Sequence, residues 1–289
     1  MAILADDLRV IHTALYLPGG PRTISPVRRA WPSVLECVRI EGAGISEASP
    51  ILHRRGFALE ALLLEDQQLL DWAAEQVEEG RCLLACDPHF PAGWRALGGR
   101  CAPAFWLRGE MPSTKECLAL VGRRNPSRQA VKWARQIAEV ADENGITGAS
   151  GGAMGCDRLA QQAFTAAGAP FFEVLASGIQ FARSEVALSA RPPDEPFSPM
   201  AAHERNLLLY ALGPTVILEA NYMQGGTWAG ATQALRARLG PIGIMPAPKD
   251  SDGAQAHRAL VNLGVNSLES AHEVCAMKER APLQPRFAL

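Results

Sequence analysis

The sequence predicts a doubly wound, mainly parallel α/β sheet preceded by a small N-terminal helical domain, and three observations carry that prediction. From residue 81 onward, apolar runs of strand length alternate with stretches whose apolar residues recur at helical spacing. Three of those runs open into glycine-rich turns, at Gly122, at Ser150 to Gly152 and at Gly225 and Gly226. Between residues 31 and 80 the pattern is helical only. Alternation of this kind buries a sheet between helices on both faces, and such sheets bind ligands where the carboxyl ends of the strands open into turns.

Taken in order, residues 1–30 hold Pro18, Gly19, Gly20, Pro21 and Pro26 and read as a leader that lies along the surface or is disordered in part. Residues 31–80 read as the small helical domain, with Leu69, Leu70, Trp72, Ala73 and Val77 at helical spacing up to a stop at Gly80. Residues 81–277 form the α/β domain. Its first strand covers 81–86, a turn and short helix 87–97, and a second strand 101–109. Residues 117–121 form the next strand. A helix follows from Ser127, its expected cap, with Ala130, Val131, Ala134, Ile137, Ala138 and Ala141 on one face and Gly145 as its left-handed stop. Strands at 146–149 and 171–175 flank a helix at 158–167. Residues 176–202 are a connection rich in proline and charge, of the length of a lid. A helix at 203–212, a strand at 215–219, a turn at 221–230, a helix at 231–239 and a strand at 242–245 follow, and residues 257–263 with the segment to 277 complete the domain. Residues 278–289 read as a tail.

The turns carry the chemistry. A glycine-rich turn that leads into a helix presents backbone N–H groups and the positive end of the helix dipole, which favour an anion. Arg123, Arg124 and Arg128 sit in or just beyond the first turn, and guanidinium forks suit phosphate. The plainer reading leaves these arginines as solvated charges and the glycines as chain turns. Glu219, at a strand end, is expected to orient Arg124 or Arg205. Asp157 is expected to cap a helix, and His203 and Glu204 to lie on the surface. Trp133 and Trp228 are the aromatic residues available for stacking, each also suited to core or rim.

A net charge of -2 excludes a protein that coats nucleic acid through its whole field, so any such binding comes from a local patch. Only four of the 28 basic residues are lysines, a bias that genome composition explains as well as chemistry does. No apolar run approaches the roughly 18 residues of a membrane span, and the acidic start of the chain is unlike a signal peptide, so a cytoplasmic protein with no membrane partner is expected. Seven cysteines in 289 residues read as free thiols. Cys82, Cys86 and His89 have ligand-like spacing but no second pair answers them, so no metal and no cofactor is expected.

Five segments in this order resemble the DNA-processing protein A (DprA/Smf) family: DPHFPAGWRAL with FWLRG, VGRRNPS, SGGAMGCDRLAQ, HERNLLLYALGPTVILEA and QGGTWAG. The resemblance spans about residues 82–265. It implies an extended Rossmann-like domain that binds single-stranded DNA as a homodimer and passes it to a RecA-type recombinase in natural transformation, without catalysis. By the same resemblance Gly122 and Arg124 fall in the family's first turn with Pro126 and Ser127 behind them, and Arg205 and Asn206 in its later arginine segment. The nucleic-acid or phosphate site so assembled is Gly122, Arg123, Arg124, Ser127, Arg128, Ser150, Gly151, Gly152, Arg205, Asn206, Gly225, Gly226 and Thr227. Arg124 would hold one phosphate, the turn at 150–152 another, and Arg205 would complete the patch. The chain departs from the family pattern at Arg123 (serine there), Cys156 (isoleucine), Gln161 (histidine) and Leu207 (a second arginine). The chain therefore resembles a divergent member, with no C-terminal winged helix expected.

A rival reading comes from the Lonely-guy-type phosphoribohydrolases, which HERN and the GGT turn also resemble. Their catalytic glutamate stands three residues after the threonine, where this chain has Gly230. A hydrolase needs a carboxylate there to stabilise the sugar cation or activate water. A nucleotide-sensing module without catalysis would use the same pocket.

Overall fold

The structure is a computed structural model, and it describes residues 5–21, 67–85 and 87–277. The chain forms two compact units, one of residues 1–110, 177–181 and 188–196, the other of residues 111–176, 182–187 and 197–289. Nine strands, mixed but mostly parallel, occur among the described residues.

In the first unit, helices α1 (Ala5–Tyr16) and α2 (Gln67–Glu78) pack on each other, and β1 (Cys82–Leu84) pairs antiparallel with β2 (Ala104–Arg108), Leu83 opposite Phe105. The short helix α3 (Ala92–Ala96) brings Trp94 onto Phe105, ring centroids 4.8 Å apart, and Phe90 closes the cluster edge-on to Trp94. Asp87 ties the turn before α3 to its surroundings: its Oδ2 accepts from the Leu84 amide at 2.8 Å, and its Oδ1 pairs with Arg9. Residues 5–16, expected as leader, are thus a helix with His12, Thr13 and Ala14 buried. One short amphipathic helix has little intrinsic stability, and its apolar face gains meaning only from the residues it packs on. The expected helical domain falls on residues 31–66 outside the described part and on 67–78 inside it, where helix is found. Cys86 of the ligand-like triplet also lies outside the described residues.

The second unit holds six parallel strands in the order β5 (Phe171–Leu175), β4 (Thr147–Ser150), β3 (Cys117–Val121), β7 (Thr215–Ile217), β8 (Ile242–Ile244) and β9 (Asn266–Ser267). Ala119 stands opposite Ala149 on one side and Thr215 on the other. Growth from β3 therefore runs outward through β4 and β5, then restarts beside β3 with β7. That reversal leaves a crevice at the carboxyl ends of β3 and β7. Alternation along β3 sends Leu118 and Leu120 into a core with α4 (Arg128–Glu143) and α5 (Cys156–Ala167). On the opposite face α6 (Pro199–Leu212) packs against β3 and β5, and α7 (Gly225–Arg236) against α6. Helix α8 (Asp252–Asn262) packs on β8 and β9.

The local signals at α4 act as read from the sequence: Ser127 Oγ accepts from the Ala130 amide at 3.2 Å, and Gly145 takes φ +63° after the last turn. Three segments differ from expectation. The connection at 176–202 contains β6 (Ala187–Ser189) and a single 3₁₀ turn at Ile179–Phe181. Helix α6 starts at Pro199, four residues early, because Ser198 caps it (Oγ to the Ala201 amide, 3.1 Å) and proline is welcome in a first helical turn. Helix α7 starts at Gly225 rather than 231, so the glycine-rich turn is itself the first turn of a helix, held by packing on α6 against the low helix propensity of glycine.

His12 gives the first unit a pH dependence. Its Nε2 donates to the Pro103 carbonyl at 2.9 Å, its Nδ1 has no hydrogen-bond partner among the described residues, and burial lowers its pKa from 6.5 to about 4. A lowered pKa means that the folded state resists protonation, so the contribution of His12 is complete above pH 6.5 and is lost as pH falls towards 4. Urea midpoints are expected to drop across that window by the equivalent of about 3 kcal/mol, and His12→Gln to flatten the drop.

Candidate functional site

At the carboxyl edge of β3 and β7 lies a cavity of ≈ 400 Å³. Gly122, Arg123 and Arg124 line it from the first turn, Ala153, Met154 and Asp157 from the second, and Asn221 with Gln224 to Thr227 from the third. Helix α6 adds Ala202, Arg205, Asn206 and Tyr210, and Phe197 stands before it.

Each turn arrives with its own polar groups to satisfy. In the first turn they go to Glu219, which is only 2% exposed. Its backbone carbonyl accepts from the Arg123 amide at 2.9 Å, its Oε2 accepts from the Ser127 amide at 2.8 Å, and its Oε1 lies 3.0 Å from Arg123 Nη2. Glu219 was expected to orient Arg124 or Arg205; it orients Arg123, because the side chain at the end of β7 points under the first turn. Arg123 reaches on to Asn221 Oδ1 of the third turn at 3.3 Å. Arg124 is exposed and has no ion-pair partner among the described residues.

In the second turn the amides face inward. Asp157 sits in the first turn of α5, whose cap position is Gly155, so it is not the helix cap expected. Its carboxylate instead accepts from the amides of Gly151 and Ala153, the latter at 3.3 Å, and pairs with Arg205, Nη1 to Oδ2 3.5 Å. Burial pushes the Asp157 carboxyl upward, and the Arg205 charge and the amides oppose that push. Arg205 is 6% exposed and also donates to the Val174 carbonyl at 3.3 Å. Its guanidinium lies flat on Gly151, where a β-carbon would stand 1.1 Å from Nη1. Ser150 turns its hydroxyl to the Leu120 carbonyl at 2.6 Å. Of the donors expected to serve a ligand at 150–152, the Gly151 amide is thus spent on the protein's own carboxylate.

The third turn is the open one. Helix α7 begins without a side-chain cap, and Gln224, Gly225 and Gly226 are exposed. The first amides of any helix lack intrahelical partners, so this N-terminus attracts an anion. Asn206 Nδ2 donates to the Gly226 carbonyl at 3.4 Å and Tyr210 Oη to that of Thr227 at 3.5 Å, which fixes α7 on α6. Gly230 is buried there, and a β-carbon would meet the Tyr210 ring at 2.9 Å.

Of the residues expected in the site, the structure gathers Gly122, Arg123, Arg124, Arg205, Asn206, Gly225, Gly226 and Thr227 around the cavity. Ser127, Arg128, Ser150, Gly151 and Gly152 do not line it. Ser127 caps α4 and Arg128 is exposed at its start. Sequence reasoning missed Met154, Phe197, Tyr210, Asn221 and Gln224. Large exposed apolar residues inside polar loops, Met154 and Phe197, are the signal that could have found two of them. Trp133 is spoken for, donating to the Pro246 carbonyl at 3.0 Å, whereas Trp228 meets Tyr222 edge-on at 5.5 Å. Cys156 packs beneath Gly122, its thiol pushed up by burial, and is a filler rather than a nucleophile.

With this edge described, comparison with known proteins decides the family. The DNA recombination-mediator protein A family matches residues 81–279. The chain belongs to that family. Among solved structures it is similar to DNA processing protein A of Streptococcus pneumoniae, at a TM-score of 0.67 and 17% identity, covering 97% of this chain and 100% of that one. It is also similar to DNA processing protein A of Helicobacter pylori, whose single-stranded DNA binding mode that structure describes, at 0.57 and 18% identity over 66% of this chain and 93% of that one. Both likenesses show the shared Rossmann-like fold. No curated protein sequence matches the chain. As a recombination-mediator family member, the chain is a DNA-processing protein.

The packing of Arg205 on Gly151 yields a test. Gly151→Ala expels the guanidinium and leaves Asp157 buried without its partner, so urea denaturation is expected to show a loss of about 3–5 kcal/mol. Gly145→Ala, at a positive φ but with open space around it, is expected to cost about 1 kcal/mol.

Proposed function

We propose that this protein binds single-stranded DNA at the cavity between the first and third turns, as a non-catalytic homodimer in the cytoplasm that delivers the strand to a RecA-type recombinase. The observation that carries the reading is the pairing of an exposed Arg124, free of ion pairs among the described residues, with the uncapped N-terminus of α7 across one cavity. Among the described residues both are donors without a protein acceptor to serve, and a backbone phosphate is the acceptor that a recombination-mediator family member meets. Apolar Met154 and Phe197 beside them suit the faces of unstacked bases.

The non-catalytic part rests on the lining. Among the described residues Asp157 is the sole carboxylate on the cavity wall, and Arg205 and two amides hold it. Position 230, where the phosphoribohydrolases carry glutamate, has no room for a side chain against Tyr210. Glu219 is turned away beneath the first turn. Incubation with nucleoside monophosphates is accordingly expected to release no free base by chromatography.

Binding is tested by fluorescence anisotropy of a labelled oligo(dT) across a salt series. Wild type is expected to bind, with affinity that falls as salt rises. Arg124→Ala is expected to weaken binding about tenfold and to lower the salt slope by about 0.7, the share of one phosphate on a single strand. Absence of binding by wild type at low salt overturns the reading.

A further inference from the structure

Arg123 stands in the first turn, and the structure uses it in a way a small residue could not. Its guanidinium spans from Glu219 Oε1 (3.0 Å) to Asn221 Oδ1 (3.3 Å), so one side chain of the first turn grips the strand end and the third turn together. Its backbone does the same for the second turn, because the Arg123 carbonyl accepts from the Cys156 amide at 3.1 Å where α5 begins. The side chain is about four-fifths buried, and its charge is met by the buried Glu219 carboxylate. Asn221 in turn forms a backbone bridge with Gln224, the residue before α7, and this short loop contains Met223 at φ +54°, a conformation a non-glycine residue holds only under constraint.

Resting on the DNA-binding reading above, we infer that Arg123 is a positioning residue: it does not contact phosphate but holds the 221–225 loop, through Asn221, so that the open N-terminus of α7 faces Arg124 across the cavity. The Arg123 side chain is then a clasp between two phosphate-binding elements. A clasp and a ligand differ in their response to salt. Loss of a phosphate contact removes counterion release, whereas loss of a clasp loosens the loop and leaves the number of phosphates met unchanged.

The experiment measures oligo(dT) affinity and its salt slope for wild type, Arg123→Ser, Asn221→Ala, the double variant and Arg124→Ala, with thermal melting alongside. Arg123→Ser and Asn221→Ala are each expected to weaken binding by about 3- to 10-fold, the range for ordering one loop, at the wild-type salt slope. The double variant is expected to be no weaker than the worse single one, because both break the same link. Arg124→Ala lowers the slope in the same assay. A slope reduced by Arg123→Ser as by Arg124→Ala overturns the inference, as does unchanged affinity in Asn221→Ala. Asn221 is half-exposed, so its variant keeps the test alive where removal of Arg123 leaves Glu219 uncompensated and unfolds the protein. If wild type itself does not bind, the DNA reading fails and not the clasp, and the link is then read from melting: non-additive losses of Tm in the two single variants support it and additive ones sink it.

Discussion

The carboxylate of Glu219 is the constraint around which the ligand edge is arranged. A parallel sheet ends in a row of strand termini whose following turns carry unpaired amides, and a buried edge cannot leave those amides bare. Glu219 meets the amide of Ser127 and the guanidinium of Arg123 from a position that is almost wholly buried. A buried charge is tolerable only when paired and hydrogen-bonded, so the same contacts that stabilise the carboxylate also fix the course of the first turn.

The second turn repeats that solution with Asp157 and Arg205. Two acid–arginine pairs thus flank one cavity, each with its carboxylate buried. Arg124 and the start of α7, by contrast, stay exposed. A site built this way presents few cations but holds them in place, consistent with a protein whose net charge is slightly negative.

Much of the α/β domain was legible because its elements follow short-range rules. Ser127 and Gly145 bracket α4 as caps should, and the apolar runs at 117–121 and 171–175 coincide with β3 and β5. Legibility failed where tertiary contacts decide. The start of α7 at Gly225 runs against propensity and depends on the seat of Gly230 against Tyr210. Helix α1 has no strong signal of its own, and its burial of His12 and Thr13 follows from packing by residues far along the chain.

By itself the sequence determined the strand–turn–helix rhythm, the three glycine-rich turns and the residue types gathered at one sheet edge, because periodicity, caps and turns are local properties of the chain. Only the tertiary structure decided which arginine serves which purpose. Arg123, Arg124 and Arg205 are alike as letters, but a guanidinium becomes a brace or stays unpaired according to whether a buried carboxylate lies within about 3–4 Å of it. The carboxylates that make that choice, Glu219 and Asp157, reach the arginines across 96 and 48 residues of chain, from elements whose neighbourhood exists only once the sheet has formed.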